Sequence, residues 1–260
     1  MPVSSAAERD VLFWNRKADR YPLPFDDTVM NQTAEIVSRI KAMGGTVKGK
    51  QLLDIGCGTG VYTLPLAAEA QHVMGLDISE TMLARLKCEV DNRHIYNVDV
   101  IKADWSDLDI ETLGLVSAFD VVWAAMTPAL RGQDNLLKMD RCSREWCVYI
   151  GWGRIRENEL MEKVFQAHGL SLQPPPGAFA AHALLEKQGR RPQFEVIDTE
   201  WEWTGTIDEA VDDMTAHLER LGASVQPDVV QKIVGAWSVN GEVRHITRAE
   251  QGIVVWRTDS

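Results

Sequence analysis

The sequence predicts a doubly wound α/β fold with a mostly parallel sheet and a small α/β cap inserted late in the chain. Two observations predict it. Through residue 152, short apolar runs alternate with helical patterns, as in βαβ units whose sheet is buried on both faces. After Gly153, helical patterns surround one half-buried strand pattern, and a last strand follows. No linker is long enough to separate independent domains, so we expect one domain.

The helices and strands through residue 152 are predicted from the spacing of apolar residues and from residues that end helices. A helical pattern after Asp27 should end at Gly44, which favours helix termination. Further helical patterns occupy residues 61–70 and 79–90. The apolar runs predict five strands, at residues 51–55, 72–76, 95–101, 119–125 and 146–152.

The second part reads as four helices and two strands. Residues 193–203 alternate between apolar and polar and predict a half-buried strand, and residues 242–257 predict a closing strand, kinked or turned near Gly252. Trp201 and Trp203 share one face of the first of these strands and should pack in the cap. The helices are predicted at 157–168, 178–187, 207–221 and 227–237.

The predicted domain has four segments. They are an N-terminal helical lid segment (1–48), a cofactor-binding core (49–153), a cap or substrate insertion that includes a late strand (154–241) and the closing strand (242–260).

Composition narrows the class of protein. Apolar residues make up 45% and charged residues 25% of the 260 positions, which is typical of a globular protein. The formal net charge of −11 disfavours nucleic acid as a partner. The four cysteines form no CxxC pair and no histidine pair has ligand spacing, so we predict reduced thiols and no metal. A charged N-terminus and the lack of a long apolar run predict a cytoplasmic protein with no membrane partner.

A glycine-rich motif carries the functional interpretation. The stretch Leu52–Gly60 reads LLDIGCGTG, in which a buried strand ends in Gly56, Gly58 and Gly60 before a helix begins. Glycines here permit a close approach of the backbone to a ligand. Asp77 ends the next strand, where an acid is placed to bind ribose hydroxyls. The spacing is G-x-G-x-G, which differs from the dinucleotide fingerprint.

With these motifs, residues 52–151 resemble the class I S-adenosylmethionine-dependent methyltransferases. The resemblance implies a seven-stranded sheet with an antiparallel last strand, and S-adenosylmethionine as donor with S-adenosylhomocysteine as product. It also implies a cofactor site, in which Asp54, Gly56, Cys57 and Gly58 surround the methionine part, Asp77 binds the ribose, Ile78, Met82, Asp104 and Trp105 bind the adenine, and Ala124 borders the methyl donor. From the residues, Asp54 is expected to orient the loop by accepting backbone N–H bonds.

The acceptor side is less specific. The segment after the fourth strand lacks the Asn/Asp-Pro-Pro-Tyr/Phe motif of DNA amino-methylating enzymes, and no Pro-Cys pair is present. Two N-terminal aromatic residues resemble those that close over donor and acceptor in small-molecule members of the family. The expected acceptor-binding residues are therefore Trp14, Tyr21, Met126, Thr127 and Trp152, and the sequence names no general base.

The function predicted is methyl transfer from S-adenosylmethionine to a small molecule. Two alternatives stay open. An RNA or protein methyltransferase would use a basic groove, and basic residues do cluster around the fifth strand: Arg131, Lys138, Arg141, Arg144, Arg154 and Arg156. A non-catalytic module that only binds S-adenosylmethionine would also keep the donor motif. Neither the acceptor nor the oligomeric state is specified by the sequence.

Overall fold

The computed structural model describes residues 5–258 and divides into two compact units. The core unit comprises Lys17–Gly151, Pro176–Val196 and the chain from Gly252 onward. The second unit comprises the chain up to Arg16 together with Trp152–Pro175 and Ile197–Gln251. The chain therefore passes between the units several times.

A seven-stranded sheet forms the centre of the core unit, with the strand order β3-β2-β1-β4-β5-β7-β6. Parallel pairing joins β1 to both β2 and β4, β2 to β3, and β4 to β5. The predicted doubly wound sheet of seven mostly parallel strands is confirmed. The strands are β1 (Gln51–Ile55), β2 (His72–Asp77), β3 (Val98–Lys102), β4 (Phe119–Ala125), β5 (Ser143–Glu157), β6 (Gln193–Thr206) and β7 (Glu242–Arg257).

Apolar runs form the central strands because both faces of the sheet are covered. Leu52, Leu53 and Ile55 of β1 are all fully buried, so successive side chains on opposite faces meet protein rather than water. The main core cluster includes Leu53, Val122 and Trp256. Helix α7 (Ala178–Lys187), which the sequence analysis assigns to the cap, packs in this same cluster.

The predicted helices are present in the predicted order, and they differ mainly at their ends. The structure adds a helix at Gln133–Cys142, for which the sequence analysis gives no bounds. The predicted helix at 61–70 is the five-residue α3, because the glycine loop continues through Tyr62. Strand β3 begins at Val98, later than predicted, because the N–H of Ile95 still donates to Val90 at the end of a helix. The remaining helices are α1 (Ala6–Lys17), α2 (Asp27–Ala42), α3 (Thr63–Ala67), α4 (Glu80–Asn92), α5 (Gln133–Cys142), α6 (Glu159–Ala167), α8 (Ile207–Arg220) and α9 (Pro227–Trp237).

The second unit has its own apolar core, in which α6, α8 and α9 pack on one another. Asn158 orders this unit from the start of α6. Its side-chain oxygen accepts from the N–H of Met161, and its amide nitrogen lies 2.8 Å from both Thr247 Oγ1 and His245 Nδ1. Trp203 stacks on His245 with ring centres 5.2 Å apart. Among residues 5–258, no helix is long and apolar enough to cross a bilayer.

Candidate functional site

The glycine loop connects β1 to α3 and is held against the end of β2. The N–H groups of Gly56 and Cys57 both donate to the carbonyl of Leu76, at 2.7 and 3.1 Å. Gly56 has a φ of +72°, and a Cβ at this position would overlap the side chain of Thr127. Glycine is therefore required here, because the loop after β4 approaches the backbone directly.

Asp77 lies at the carboxyl end of β2, and its buried carboxylate contacts the glycine loop. One oxygen accepts from the N–H of Gly58 at 2.9 Å and the other from the N–H of Ser79 at 2.8 Å. Burial raises the pKa of Asp77, while these hydrogen bonds oppose the rise. Each oxygen keeps a further lone pair, so the carboxylate has the capacity to accept from two hydroxyl groups.

Asp54 is a second buried carboxyl group in this site. It accepts from the hydroxyl of Thr63, at 2.6 Å, rather than from the backbone N–H groups that the sequence suggested. Burial raises its pKa to about 7, with the charge of Asp77 adding to the rise and the Thr63 hydrogen bond opposing it. Within the described part of the chain, neither carboxyl group has an ion-pair partner. The site therefore carries uncompensated negative charge when both are ionised.

Tyr21 borders the glycine loop from the segment that precedes α2. The hydroxyl of Thr59 donates to the carbonyl of Pro22 at 2.6 Å and fastens this segment to the loop. The Tyr21 ring lies 3.9 Å from the position that a Cβ on Gly58 would occupy. Burial, and then the charge of Asp77, raise the pKa of Tyr21. The structure thus places this residue, predicted for the acceptor side, beside the loop and Asp77.

Other residues predicted for the cofactor lie around the same strand ends. Ile78 is half-buried and follows Asp77, while Met82 is buried and donates its N–H to Ser79 Oγ. Cys57 packs with Leu64, Leu83 and Leu86, and burial raises the pKa of its thiol. Ala124 is fully buried near the end of β4. Contact of any of these residues with a cofactor stays a prediction.

Asp104 and Trp105 already have protein partners. Asp104 accepts from the N–H of Ser106 at 2.8 Å. Trp105 is 1% exposed, donates its indole N–H to the carbonyl of Asn135 at 3.2 Å, and has Lys138 Nζ 4.9 Å from its ring centre. The indole is thus part of the core. The adenine-binding role of both residues remains a prediction.

The residues predicted for the acceptor fall in both units. Met126, with a φ of +50°, and Thr127 form the loop that meets Gly56 in the core unit. Trp14 belongs to the second unit and packs edge-on against Phe13, with ring centres 5.0 Å apart. Trp152 also belongs to that unit. The core unit therefore brings Tyr21 and Thr127 to the glycine loop, and Met126 precedes Thr127 in the chain.

Sequence reasoning did not identify three residues of this site. Thr59 and Thr63 are polar groups whose partners, Pro22 and Asp54, become clear only in the fold. Tyr62 packs on Trp123 with ring centres 5.4 Å apart, and burial followed by the charge of Tyr21 raises its pKa. The glycine motif contains no pattern that marks these positions.

The sequence matches known methyltransferases over this region. Residues 52–144 match a family described as a methyltransferase domain. The chain is 27% identical over 161 residues to the 23S rRNA (uracil(1939)-C(5))-methyltransferase RlmD of Aeromonas salmonicida, covering 58% of this chain and 36% of that protein. It is 25% identical over 198 residues to the ubiquinone biosynthesis O-methyltransferase of Nitrobacter winogradskyi, covering 75% and 66%. The chain thus spans between about a third and two thirds of the length of these two relatives.

Solved structures match over nearly the whole chain. Magnesium protoporphyrin IX methyltransferase from Synechocystis, with bound S-adenosylmethionine, matches with a TM-score of 0.54 at 13% identity, over 99% of both chains. Phosphoethanolamine N-methyltransferase 2 from Haemonchus contortus matches with a TM-score of 0.53 at 18% identity, over 97% of this chain and 57% of that one. These likenesses show the fold. Residues 52–144 in addition match the methyltransferase domain at the level of sequence.

Proposed function

We propose that this chain, which matches a methyltransferase domain over residues 52–144, is a class I methyltransferase that transfers a methyl group from S-adenosylmethionine to a small molecule and releases S-adenosylhomocysteine. The observation that carries the proposal is the pair of buried carboxyl groups, Asp54 and Asp77, beside the glycine loop. They interact electrostatically and have no cationic partner in residues 5–258. Buried charges are normally paired, so these carboxylates favour a cationic ligand. S-adenosylmethionine fits, because it bears a sulfonium and an ammonium group.

Particular residues would hold the donor. Asp77 would accept from the ribose hydroxyls, since each of its oxygens has a lone pair beyond its backbone bond. Gly58 would admit the methionine part, because a side chain there would occupy the space next to the Tyr21 ring. Asp54 would supply negative charge behind the loop. Residues Cys57, Ile78, Met82, Asp104, Trp105 and Ala124 remain candidates for the remaining contacts.

The chemistry needs little from the protein beyond placement. The donor's sulfonium supplies an activated methyl group for in-line displacement by a nucleophilic atom of the acceptor. The protein's task is to hold the two reactants in line and to exclude water. No general base is assigned, and an acceptor that is already nucleophilic needs none.

Two observations favour a small acceptor over nucleic acid. The net charge of −11 opposes binding to phosphate backbones. Methylation at C5 of uracil, the reaction named for the rRNA relatives, requires a nucleophile that activates the ring, for which a thiolate is suited. Burial raises the pKa of three of the four thiols, those of Cys57, Cys142 and Cys147. Such thiols are poor nucleophiles.

The basic residues near β5 give limited support to an RNA-binding groove. Arg141 pairs with Glu111, and Arg144 pairs with Asp120 at 2.8 Å. Lys138 donates to backbone carbonyls, including that of Leu108. The carboxylates neutralise Arg141 and Arg144, and the carbonyls hold Lys138, so these three of the six basic residues offer little to a phosphate backbone.

The first experiment measures donor binding. Isothermal titration of S-adenosylmethionine into wild type and Asp77→Asn should show at least a hundredfold weaker binding in the variant, because two charge-assisted hydrogen bonds, about 1.5–3 kcal/mol each, are weakened. Asp109→Asn is the matched control, since Asp109 is an exposed loop residue that accepts from Thr112. Equal affinities in wild type and Asp77→Asn would refute the assignment.

The second experiment measures turnover. Formation of S-adenosylhomocysteine is followed with a panel of small hydroxyl, amine and thiol acceptors, with total RNA, and with a protein mixture. Turnover of a small acceptor supports the proposal. Turnover of RNA or protein alone would favour the macromolecular alternative. Donor binding without turnover of any acceptor would favour the non-catalytic module.

A further inference from the structure

Arg156 in β5 is a partly buried cation without a counter-charge. Its guanidinium carbon lies 4.7 Å from the centre of the Trp152 ring, and one terminal nitrogen lies 3.6 Å from the sulfur of Met161. Its Nε atom is buried and has no hydrogen-bond partner. No carboxylate between residues 5 and 258 forms an ion pair with it. A desolvated charge with an unused donor is costly, so its retention indicates a use.

The neighbouring charges do not compensate Arg156. Burial first, and the nearby charge of Arg220 second, lower the pKa of Arg156 to about 10. Arg220 itself pairs with Asp10, whose Oδ1 lies 2.6 Å from its Nε. Glu250 accepts from the backbone N–H of Arg154 at 2.9 Å. These carboxylates thus have partners of their own, and Arg156 remains a source of positive potential in the second unit.

An aromatic surface lies next to this cation. Trp152 and Arg156 are four residues apart in one strand, so their side chains share a face. The Trp152 ring lies 6.2 Å from that of Trp201, which is 41% exposed. Indole rings bind flat apolar groups, and the guanidinium fork binds oxyanions through paired hydrogen bonds. The two features together match a ligand that has a planar body and an anionic end.

We propose that Arg156 and Trp152 form a subsite in the second unit for an oxyanion, either carboxylate or phosphate, that is attached to a planar ring. Arg156 binds the oxyanion and Trp152 contacts the ring. This subsite does not depend on the proposed function of the core unit.

Calorimetry with three probes tests the subsite: 4-hydroxybenzoate, its neutral amide 4-hydroxybenzamide, and phenyl phosphate. In wild type, at least one of the two anions should bind at least tenfold more tightly than the amide, and the tighter anion identifies the chemistry. Arg156→Met should abolish this preference. Trp152→Leu should weaken the anions and the amide alike. Arg154→Gln, an exposed position two residues away on the same strand, is the matched control and should keep the preference.

Two results would overturn the subsite: equal binding of all three probes to wild type, or an anion preference that persists in Arg156→Met. Thermal unfolding tests whether Arg156→Met loses binding only because it unfolds. Removal of an unpaired charge should leave the melting temperature of this variant unchanged or higher. Titration of S-adenosylmethionine into the same proteins separates the two proposals. If wild type does not bind S-adenosylmethionine, the proposed methyltransferase function is contradicted, but the result obtained with the three probes still decides whether the subsite exists.

Discussion

Asp54 should release a proton when S-adenosylmethionine binds, and Asp54→Asn should remove most of that release. In the free protein, burial and the charge of Asp77 raise the pKa of Asp54 to about 7, so much of the carboxyl group is protonated near neutral pH. A cationic donor favours the ionised form and lowers this pKa. Binding must then drive the proton into solution.

The size of the effect follows from the two pKa values. With a pKa of about 7 in the free protein and an ordinary value near 3.8 with donor bound, release is about 0.9 proton at pH 6, about 0.5 at pH 7 and about 0.1 at pH 8. Donor affinity should fall about tenfold for each pH unit below pH 7, which is about 1.4 kcal/mol. Asp77, whose pKa burial also raises, should add to the release at the acidic end.

The assay is calorimetry in buffers that differ in ionisation enthalpy. The slope of apparent binding enthalpy against buffer enthalpy gives the number of protons released, at pH 6 and again at pH 8. Asp109→Asn should behave as wild type. Equal release at both pH values in wild type, or unchanged release in Asp54→Asn, would refute the reasoning.

The same carboxyl group should set a pH dependence of stability. Between about pH 4 and pH 7 the folded protein holds a proton on Asp54 that the unfolded chain has lost, so this group's contribution to the free energy of unfolding falls as pH rises. The loss is about 1.4 kcal/mol per pH unit, or about 4 kcal/mol over the window. Asp54→Asn should therefore gain stability relative to wild type from pH 4 to pH 8, as chemical denaturation would measure; a constant difference would contradict this.

Three further substitutions follow from contacts in the structure. Gly56→Ala should destabilise the protein by at least about 2 kcal/mol, measured by thermal unfolding, because its Cβ would overlap Thr127; an unchanged melting temperature would be inconsistent with this packing. Gly58→Ala, with only the Tyr21 ring nearby, should cost about 1 kcal/mol through its positive φ, yet weaken donor binding at least tenfold by calorimetry; wild-type affinity would mean that nothing binds there. Asn158→Ala should cost about 3 kcal/mol by denaturant unfolding through loss of a helix cap and two buried hydrogen bonds, whereas Thr204→Ala on exposed β6 should cost much less.

Local patterns predict most of the fold because the strands of the core unit are apolar on both faces. Strand β4 and helix α9 have the predicted limits, since an apolar run and an initial proline define them without help from distant residues. Strand β5 extends to Glu157, past the predicted end at 152, although its last residues are largely polar. The N–H of Arg154 donates to the carboxylate of Glu250, nearly a hundred residues later. The local pattern of apolar and polar residues contains no information on such contacts.

In the candidate site, too, some residues can be predicted from local sequence and others depend on contacts with distant residues. Gly58 and Asp77 are predictable because a short motif contains them, and the structure joins them by a hydrogen bond. The position of Tyr21 beside Gly58 depends on the hydrogen bond from Thr59 to Pro22, across 37 residues. In the sequence, Arg156 is one of several basic residues near the fifth strand. Only the structure distinguishes it from the others, because its Nε atom is buried without a hydrogen-bond partner.

Buried and partly buried charged residues of this protein fall into two groups, those with an ion-pair partner and those without one. Three other partly buried cations are paired: Arg190 with Asp140 at 2.8 Å, Lys50 with Glu145 at 2.6 Å, and Arg220 with Asp10 at 2.6 Å. Asp54, Asp77 and Arg156 have no such partner among the described residues, and burial disfavours the charged form of each. Folding alone gives no reason to keep a desolvated charge, because neutral residues of similar shape would be more stable. The sign of each unpaired charge then indicates its ligand: a cation beside the glycine loop, and an anion beside Trp152.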